Sequence, residues 1–398
     1  MTISLEQLKQ EAEALKVQLV AVRRDLHAHP ELGFQEVRTA GVVARKLNEL
    51  GYEVQTGVGK TGVVGLVEGA RPGMGKTLML RFDMDALPIQ EEVDVRFKSQ
   101  TDGVMHACGH DAHTSVGLGV AELLMKHRDR WSGTAKFVFQ PAEEGMGGAA
   151  AMIADGVLEL PKPDRVLSMH VWSMDEVGSI AMTDGPTMAA ADGFTIKVQG
   201  RGTHGAAPHL GADPVIVAAH IVLALQTIVS RNIDPTDEAV VTVGYIRGGT
   251  ASNVVPDSVE MGGTTRAFKD ELILMMRERI KLIVENTATA FGMQAEVKFP
   301  EQFCPATVNN AVMANVVRKT AQELVGADHV ASDHRTMGAE DCSLFLKAFP
   351  GAYVFVGAGN KAKGINEPHH SPRFQIDEDA LPIATALMTA SAVKMLNE

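Results

Sequence analysis

Thr77-Leu78-Met79-Leu80-Arg81-Phe82-Asp83-Met84-Asp85-Ala86-Leu87-Pro88 is a short apolar run that ends in two carboxylates. The run predicts a buried strand over 77–82, with the acids directly after it. Carboxylates in that place suit a site in an open α/β sheet, where ligands gather beyond the strand ends. Similar runs stand at 52–55 and 63–67 before it, and at 134–139 and 164–169 after it. Apolar residues at helical spacing lie between and around these runs. The first set is Leu5, Leu8, Ala12, Leu15, Leu19, Val22 and Leu26, followed by stretches at about 36–50, 115–127 and 148–154. Pro30 should end the first helix near His29, because a proline disfavours helical backbone at the residue before it. Gly51 suits the end of the second helix. Helix and strand in alternation predict an α/β fold, a mostly parallel sheet with helices on both faces.

Two glycine-rich stretches beside these strands imitate nucleotide sites. Gly57-Val58-Gly59-Lys60-Thr61-Gly62 has the dinucleotide spacing, and Ala70-Arg71-Pro72-Gly73-Met74-Gly75-Lys76-Thr77 fits a permissive phosphate-loop pattern. Either chemistry needs a helix N-terminus straight after the glycines, to aim amides at phosphate. Apolar strand-like runs follow instead, so both stretches read as turns.

The texture changes near Ala190. A strand at 194–198, a glycine-rich loop at 200–209 and a helix at 214–230 come first. Strands at 239–246 and 258–268, a helix at 270–291 and a strand at 294–299 follow. This order describes an antiparallel sheet with two helices on one face, an α+β two-layer sandwich. Its position predicts an insertion at 190–302 in a discontinuous domain made of 1–189 and 303–398.

The densest chemistry is Met105-His106-Ala107-Cys108-Gly109-His110-Asp111-Ala112-His113. Cys108 and His110 lie two apart, so in an extended segment their side chains would leave one face. A thiolate and an imidazole with a carboxylate nearby suit a borderline-soft divalent metal. Other strand ends and tight Pro/Gly loops add Glu143, Glu144, His170 and His370. Each alone reads as an ordinary core histidine or solvated corner. Together they are enough for two metal ions with one carboxylate to spare, which could take a proton from metal-bound water.

Composition bounds the alternatives. The chain has 398 residues, 45% hydrophobic and 22% charged, as in soluble globular proteins. A formal net charge of −12 without a basic stripe argues against a nucleic-acid partner. Three cysteines, Cys108, Cys304 and Cys342, imply no disulfide framework. Residues 1–10 resemble an amphipathic helix more than a signal peptide. No apolar run looks long enough to span a bilayer, and the default expectation is a cytoplasmic protein with no membrane partner.

The motifs resemble the two-metal metallopeptidases that include aminoacylases and glutamate carboxypeptidases. The resemblance is closest to their amidohydrolase branch of hippurate hydrolases, N-acyl-amino-acid deacylases and auxin-conjugate hydrolases. It is carried by the stretches at 26–34, 81–88, 106–113, 140–144, 204–209, 248–250, 253–257 and 370–372, in order along nearly the whole chain. It implies that Cys108, His110, Glu144, His170 and His370 ligate two divalent ions (Zn, Mn, Ni or Co), with Cys108 as the bridge. It implies that Glu143 is the general base and later the acid for attack by a metal-bound hydroxide on an N-acyl amino acid or short peptide. The inserted domain would be a lid and dimerisation domain of a homodimer or dimer-based oligomer. His204 would stabilise the oxyanion, reaching the partner subunit's site. Asn253 and Arg266 would bind the amino-acid carboxylate, and Asp83, Asp111 and His113 would support the ligands from behind. His106 would join them in holding the ligand loop by hydrogen bonds. Cys342 stands where the family usually has phenylalanine, which could alter the acyl pocket. An exopeptidase would use the same site, whereas a non-catalytic metal-binding protein should have lost Glu143 or a ligand. None is lost.

Overall fold

A computed structural model describes residues 3–397. The chain forms two compact units, each described here by itself. The first comprises residues 1–187, 308–335 and 341–398, and the second comprises 188–307 and 336–340. The second unit thus gains a short segment, 336–340, that lies far from the rest of it in sequence.

The first unit is built on an eight-stranded sheet. Its order is Glu53–Val58, Gly62–Glu68, Thr134–Gln140, Thr77–Asp83, Arg165–Glu176, Gly351–Gly359, Ile180–Ala181 and Val330–Ala331. The four middle strands, from Thr134–Gln140 to Gly351–Gly359, run parallel; Gly62–Glu68 and Ile180–Ala181 join them antiparallel, and Val330–Ala331 pairs parallel with Ile180–Ala181. Leu78, Met79, Leu80, Arg81, Phe82 and Asp83 are all buried. Successive residues of a strand face opposite sides, so both faces of the sheet are covered. Helices Leu5–Ala14 and Lys16–Ala28 stand where one helix was expected, with Leu15 between them still in helical conformation. Helix Val37–Glu49 follows, and Gly51 after it takes φ +86°.

Both glycine-rich stretches are connections, as the strands after them required. Gly59 and Lys60 have positive φ in the turn between two antiparallel strands, and Gly57 has positive φ at the register shift just before it. Residues 70–76 lead into Thr77–Asp83 without a helix.

The second unit is a four-stranded antiparallel sheet in the order Ala239–Arg247, Ser258–Ala267, Ala190–Gln199, Gln294–Lys298. Helices Pro214–Asn232 and Asp270–Ala290 bury Val217, Ile221, Leu225 and Ile228, and Ile273, Met276, Ile280 and Val284. This three-to-four spacing lays one apolar stripe of each helix onto Ile196, Val198, Val259 and Met261.

One expectation needs correction. Pro214–Asn232 and Ala380–Asn397 are long and apolar enough to cross a membrane by length and composition. Ala380–Asn397 is instead the central helix of the first unit's core, with 83% of its apolar window buried. An all-round apolar helix is what such a core position selects.

Candidate metal centre

The carboxyl ends of the middle strands carry the site. Gly109 is the local pivot: it takes φ +88° and caps helix His110–Lys126. A β-carbon there would stand 2.5 Å from Val171 Cγ2, so both conformation and space demand glycine. The expected extended segment is therefore wrong. Cys108 precedes a left-handed turn and His110 opens the helix, and this sharp reversal brings both side chains to one place.

The donor atoms of Cys108, His110 and His170 lie within 4.8 Å of one another. Those of Cys108, Glu144 and His370 do so too, as do those of His110, Glu143 and Glu144. Cys108 Sγ is 3.5 Å from His170 Nε2, and His370 Nε2 is 3.3 Å from Glu144 Oε1. His170 lies within its strand, not at the strand's end, because pairing continues to Glu176. Its Nδ1 faces the Val171 carbonyl at 2.6 Å, which puts the ring proton there and leaves Nε2 toward Cys108.

This donor set fits a divalent cation. His110 Nε2 and Glu144 Oε1 are buried without a well-formed hydrogen bond, an expensive arrangement unless a cation takes their lone pairs. Burial and the carboxylates of Glu144, Glu143 and Asp83 push the Cys108 thiol well above its ordinary value. A thiolate at this spot needs a positive charge beside it. Burial, His113 and His369 hold His170 well below the usual imidazole range, leaving the neutral ring that metals bind. Burial disfavours a charged His110, but Asp83 and Asp85 outweigh it and raise His110 to about 10.

The supporting residues sort themselves by their bonds. His113 sits 2.6 Å from Asp83 Oδ1 through Nδ1 and accepts the Val171 N–H through Nε2, so both ring nitrogens are taken. Asp83 bonds fully buried Arg81 at 2.7 Å. It stands 3.8 Å from His110 Nδ1, so it orients His113 and not that ligand. Asp111 turns to Arg23 and His27, each at 2.8 Å, behind the helix start. His106 was expected to hold the loop by hydrogen bonds. It is buried with neither ring nitrogen bonded, and instead lies 6.3 Å from the His27 ring.

Two residues take parts that the sequence reading did not assign, although it noted Asp85 as a strand-end carboxylate. Asp85 faces His110 Nδ1 at 3.2 Å and accepts the Glu144 N–H at 3.0 Å, tying two candidate ligands together. Its signal was the two-residue spacing from Asp83 at a strand end, which puts both acids on one side. His369 Nε2 accepts the Ser173 N–H, so its ring proton points at Cys108 Sγ, 3.8 Å away. The sequence reading took His370 as a ligand and gave its neighbour no part. His370 takes φ +66°, and its N–H bonds the Ala107 carbonyl.

In the second unit, His204 and Asn253 come together across the short ladder Thr203–His204 with Val254–Val255. Gly205 N–H bonds the Asn253 carbonyl there. Arg266 is not with them. It pairs with Ala191 and Val240 toward the far end of strand Ser258–Ala267, roughly 25 Å along the sheet. Cys342 is fully buried and Cys304 half-buried, and neither is in a disulfide. Neither belongs to a donor cluster among the described residues.

A parallel-stranded unit with this donor cluster at its strand ends is of the metallohydrolase class. Residues 79–394 match Peptidase family M20/M25/M40, and the chain belongs to that family. Thermostable carboxypeptidase 1 of Saccharolobus solfataricus is 40% identical, with 99% of both chains covered. IAA-amino acid hydrolase ILR1-like 4 of Arabidopsis thaliana is 39% identical over 96% of this chain and 86% of that one. Among solved structures, the Bacillus subtilis YXEP protein, described as a dinuclear metal binding peptidase, superposes with a TM-score of 0.82. It is 35% identical and the match covers 96% and 99% of the two chains. The chain is therefore a hydrolase of this family, with an amide bond as its target.

Proposed function

We propose that this hydrolase cleaves the amide bond of N-acyl amino acids of the hippurate or N-acetyl type. One observation carries the hydrolytic part of the reading. The donors of Cys108, His110, Glu144, His170 and His370 converge, and Glu143 stands within the same cluster. Two divalent ions of Zn, Mn, Ni or Co type would be held by those five residues, of which Cys108, His110 and Glu144 each belong to more than one cluster; the family resemblance would give Cys108 a part in holding both ions. When bound they supply Lewis acidity, polarising the carbonyl and acidifying water. Glu143 takes the proton from the attacking water and returns it to the leaving amine. Asp85 keeps His110 and the Glu144 backbone in register for this.

The second unit acts as the lid and as the contact between copies of a homodimer. Strand Ala239–Arg247 is one of the two edges of its sheet, a ready place for a second chain. His204 stabilises the oxyanion in the partner's site. Asn253 and Arg266 are too far apart in one chain to grip one carboxylate, so each serves a different copy's substrate. A free thiol ligand suits the reducing compartment expected from the cysteine count.

Glu143→Ala tests the reading. It should keep its metal and lose hydrolysis by several orders of magnitude; near-normal turnover would sink the assignment. A carboxypeptidase reading is favoured by the 40% identical relative of that name and uses the same residues. Comparing N-benzoylglycine, N-acetyl amino acids and dipeptides under one metal separates the two.

A further inference from the structure

The strand Thr134–Gln140 ends in a loop, 141–147, that reverses sharply before helix Gly148–Ala154. Ala142 is fully buried at φ +52°, a left-handed conformation that an L-residue adopts only under constraint. Both its backbone groups are tied. Its carbonyl accepts the Gly148 N–H at 3.0 Å, and its N–H donates to Glu36 Oε1 at 2.8 Å. Glu36 is itself fully buried, and its other oxygen accepts the Thr61 hydroxyl at 2.5 Å. Among the described residues it takes no ion pair. A buried carboxylate without a cation is costly, so its place is explained by the two donors it holds.

The surroundings lock this contact. Thr61 belongs to the glycine-rich turn 57–62 that imitates a nucleotide site. A β-carbon on Gly62 would meet Pro141 Cδ at 3.0 Å, and one on Gly59 would meet Met152 Cγ at 2.6 Å. A β-carbon on Gly33 would meet Ala142 Cβ at 3.0 Å. The turn and the 31–36 stretch therefore press on the back of the loop from two sides. The next residue after Ala142 is Glu143.

We propose that Glu36 is a positioning residue: by holding the Ala142 N–H it sets the turn from which Glu143 reaches the reacting atoms. This rests on the proposed role of Glu143. The Gly57–Gly62 turn then serves to present Thr61 to Glu36, and not to bind phosphate.

The test uses the full chain with metal content measured on each variant. Glu36→Ala, assayed at saturating metal because the same loop carries Glu144, should leave KM within about twofold, while kcat falls about 10²-fold, the scale of a misplaced catalytic group. Amide exchange should rise in 141–148 and stay unchanged in 134–140. Glu36→Gln, which still offers an oxygen to Ala142, should restore kcat to within a few fold. Parental kcat in Glu36→Ala, or a lower kcat with unchanged exchange in 141–148, overturns the proposal. If Glu36→Ala does not fold, Glu36→Asp decides against Glu36→Gln. The shorter acid should be slow and the amide near-parental, and equal kcat in the two overturns the proposal. Glu143→Gln is measured alongside. If it stays active, the role of Glu143 fails and takes this proposal with it. If it is inactive while Glu36→Ala is parental, only the role of Glu36 fails.

Discussion

At the scale of single residues, the site depends on side chains that hold other side chains. Cys108 shows the pressure most clearly, since buried carboxylates around a thiol make sense only with a cation among them. Cys108→Ala should lower the metal content per chain, and unchanged stoichiometry would count against it as a bridge. Asp85 touches His110 and the Glu144 backbone, so Asp85→Ala should weaken metal binding about 10–100-fold, read by titration with a competing chelator. Full parental affinity would show that His110 and Glu144 hold their positions without it. The candidate ligands were legible in sequence because cysteine, histidine and glutamate stood together in tight loops and at strand ends. The contacts of Asp85, the part of His369 and the unbonded state of His106 were not. They depend on φ angles and ring directions, which spacing alone does not reveal.

At the scale of elements, the chain's turns matter more than its regular pieces. Strand and helix positions followed from periodicity to within a few residues at most ends. Cys108 and His110 did not follow, because a positive-φ glycine between them turned an assumed extended segment into a helix start. Gly109→Ala should cost about 1–2 kcal/mol for the left-handed backbone alone, with more from the contact with Val171. Chemical denaturation and metal analysis would register both effects. Docking of the first helix has an electrostatic part. Glu11 lies 2.6 Å from His127 and 3.0 Å from Lys126 at the end of helix His110–Lys126. Burial opposes its ionisation, but bonds to His127, Gln7 and Lys126 lower it from 4.5 to about 2. A lowered acid stabilises the fold above its unfolded value, so this contribution is present at neutral pH. It is lost as pH falls from about 4.5 toward 2. Glu11→Gln should therefore be less stable than the parent at pH 7, and the gap should close near pH 2. A gap that stays constant with pH would contradict this.

At the scale of the whole molecule, two separate cores and two sheet types were readable from the switch in strand texture near Ala190. The segment 336–340 was not, since nothing in its composition ties it to the second unit. The distance between Asn253 and Arg266 was implicit in the strand expected at 258–268, with Asn253 before it and Arg266 near its end, yet the resemblance assigned both to one carboxylate. That distance makes a second copy part of the proposed chemistry. A monomer by sedimentation at assay concentration, with full activity, would remove His204 of the partner from the account. The most direct measurement is product release from a panel of N-acyl amino acids by metal-analysed protein, before chelation, after it and after metal is restored. The account predicts hydrolysis that disappears with the metal and returns with it. Turnover persisting in metal-free protein, or no cleavage of any panel member at two metal ions per chain, would contradict it.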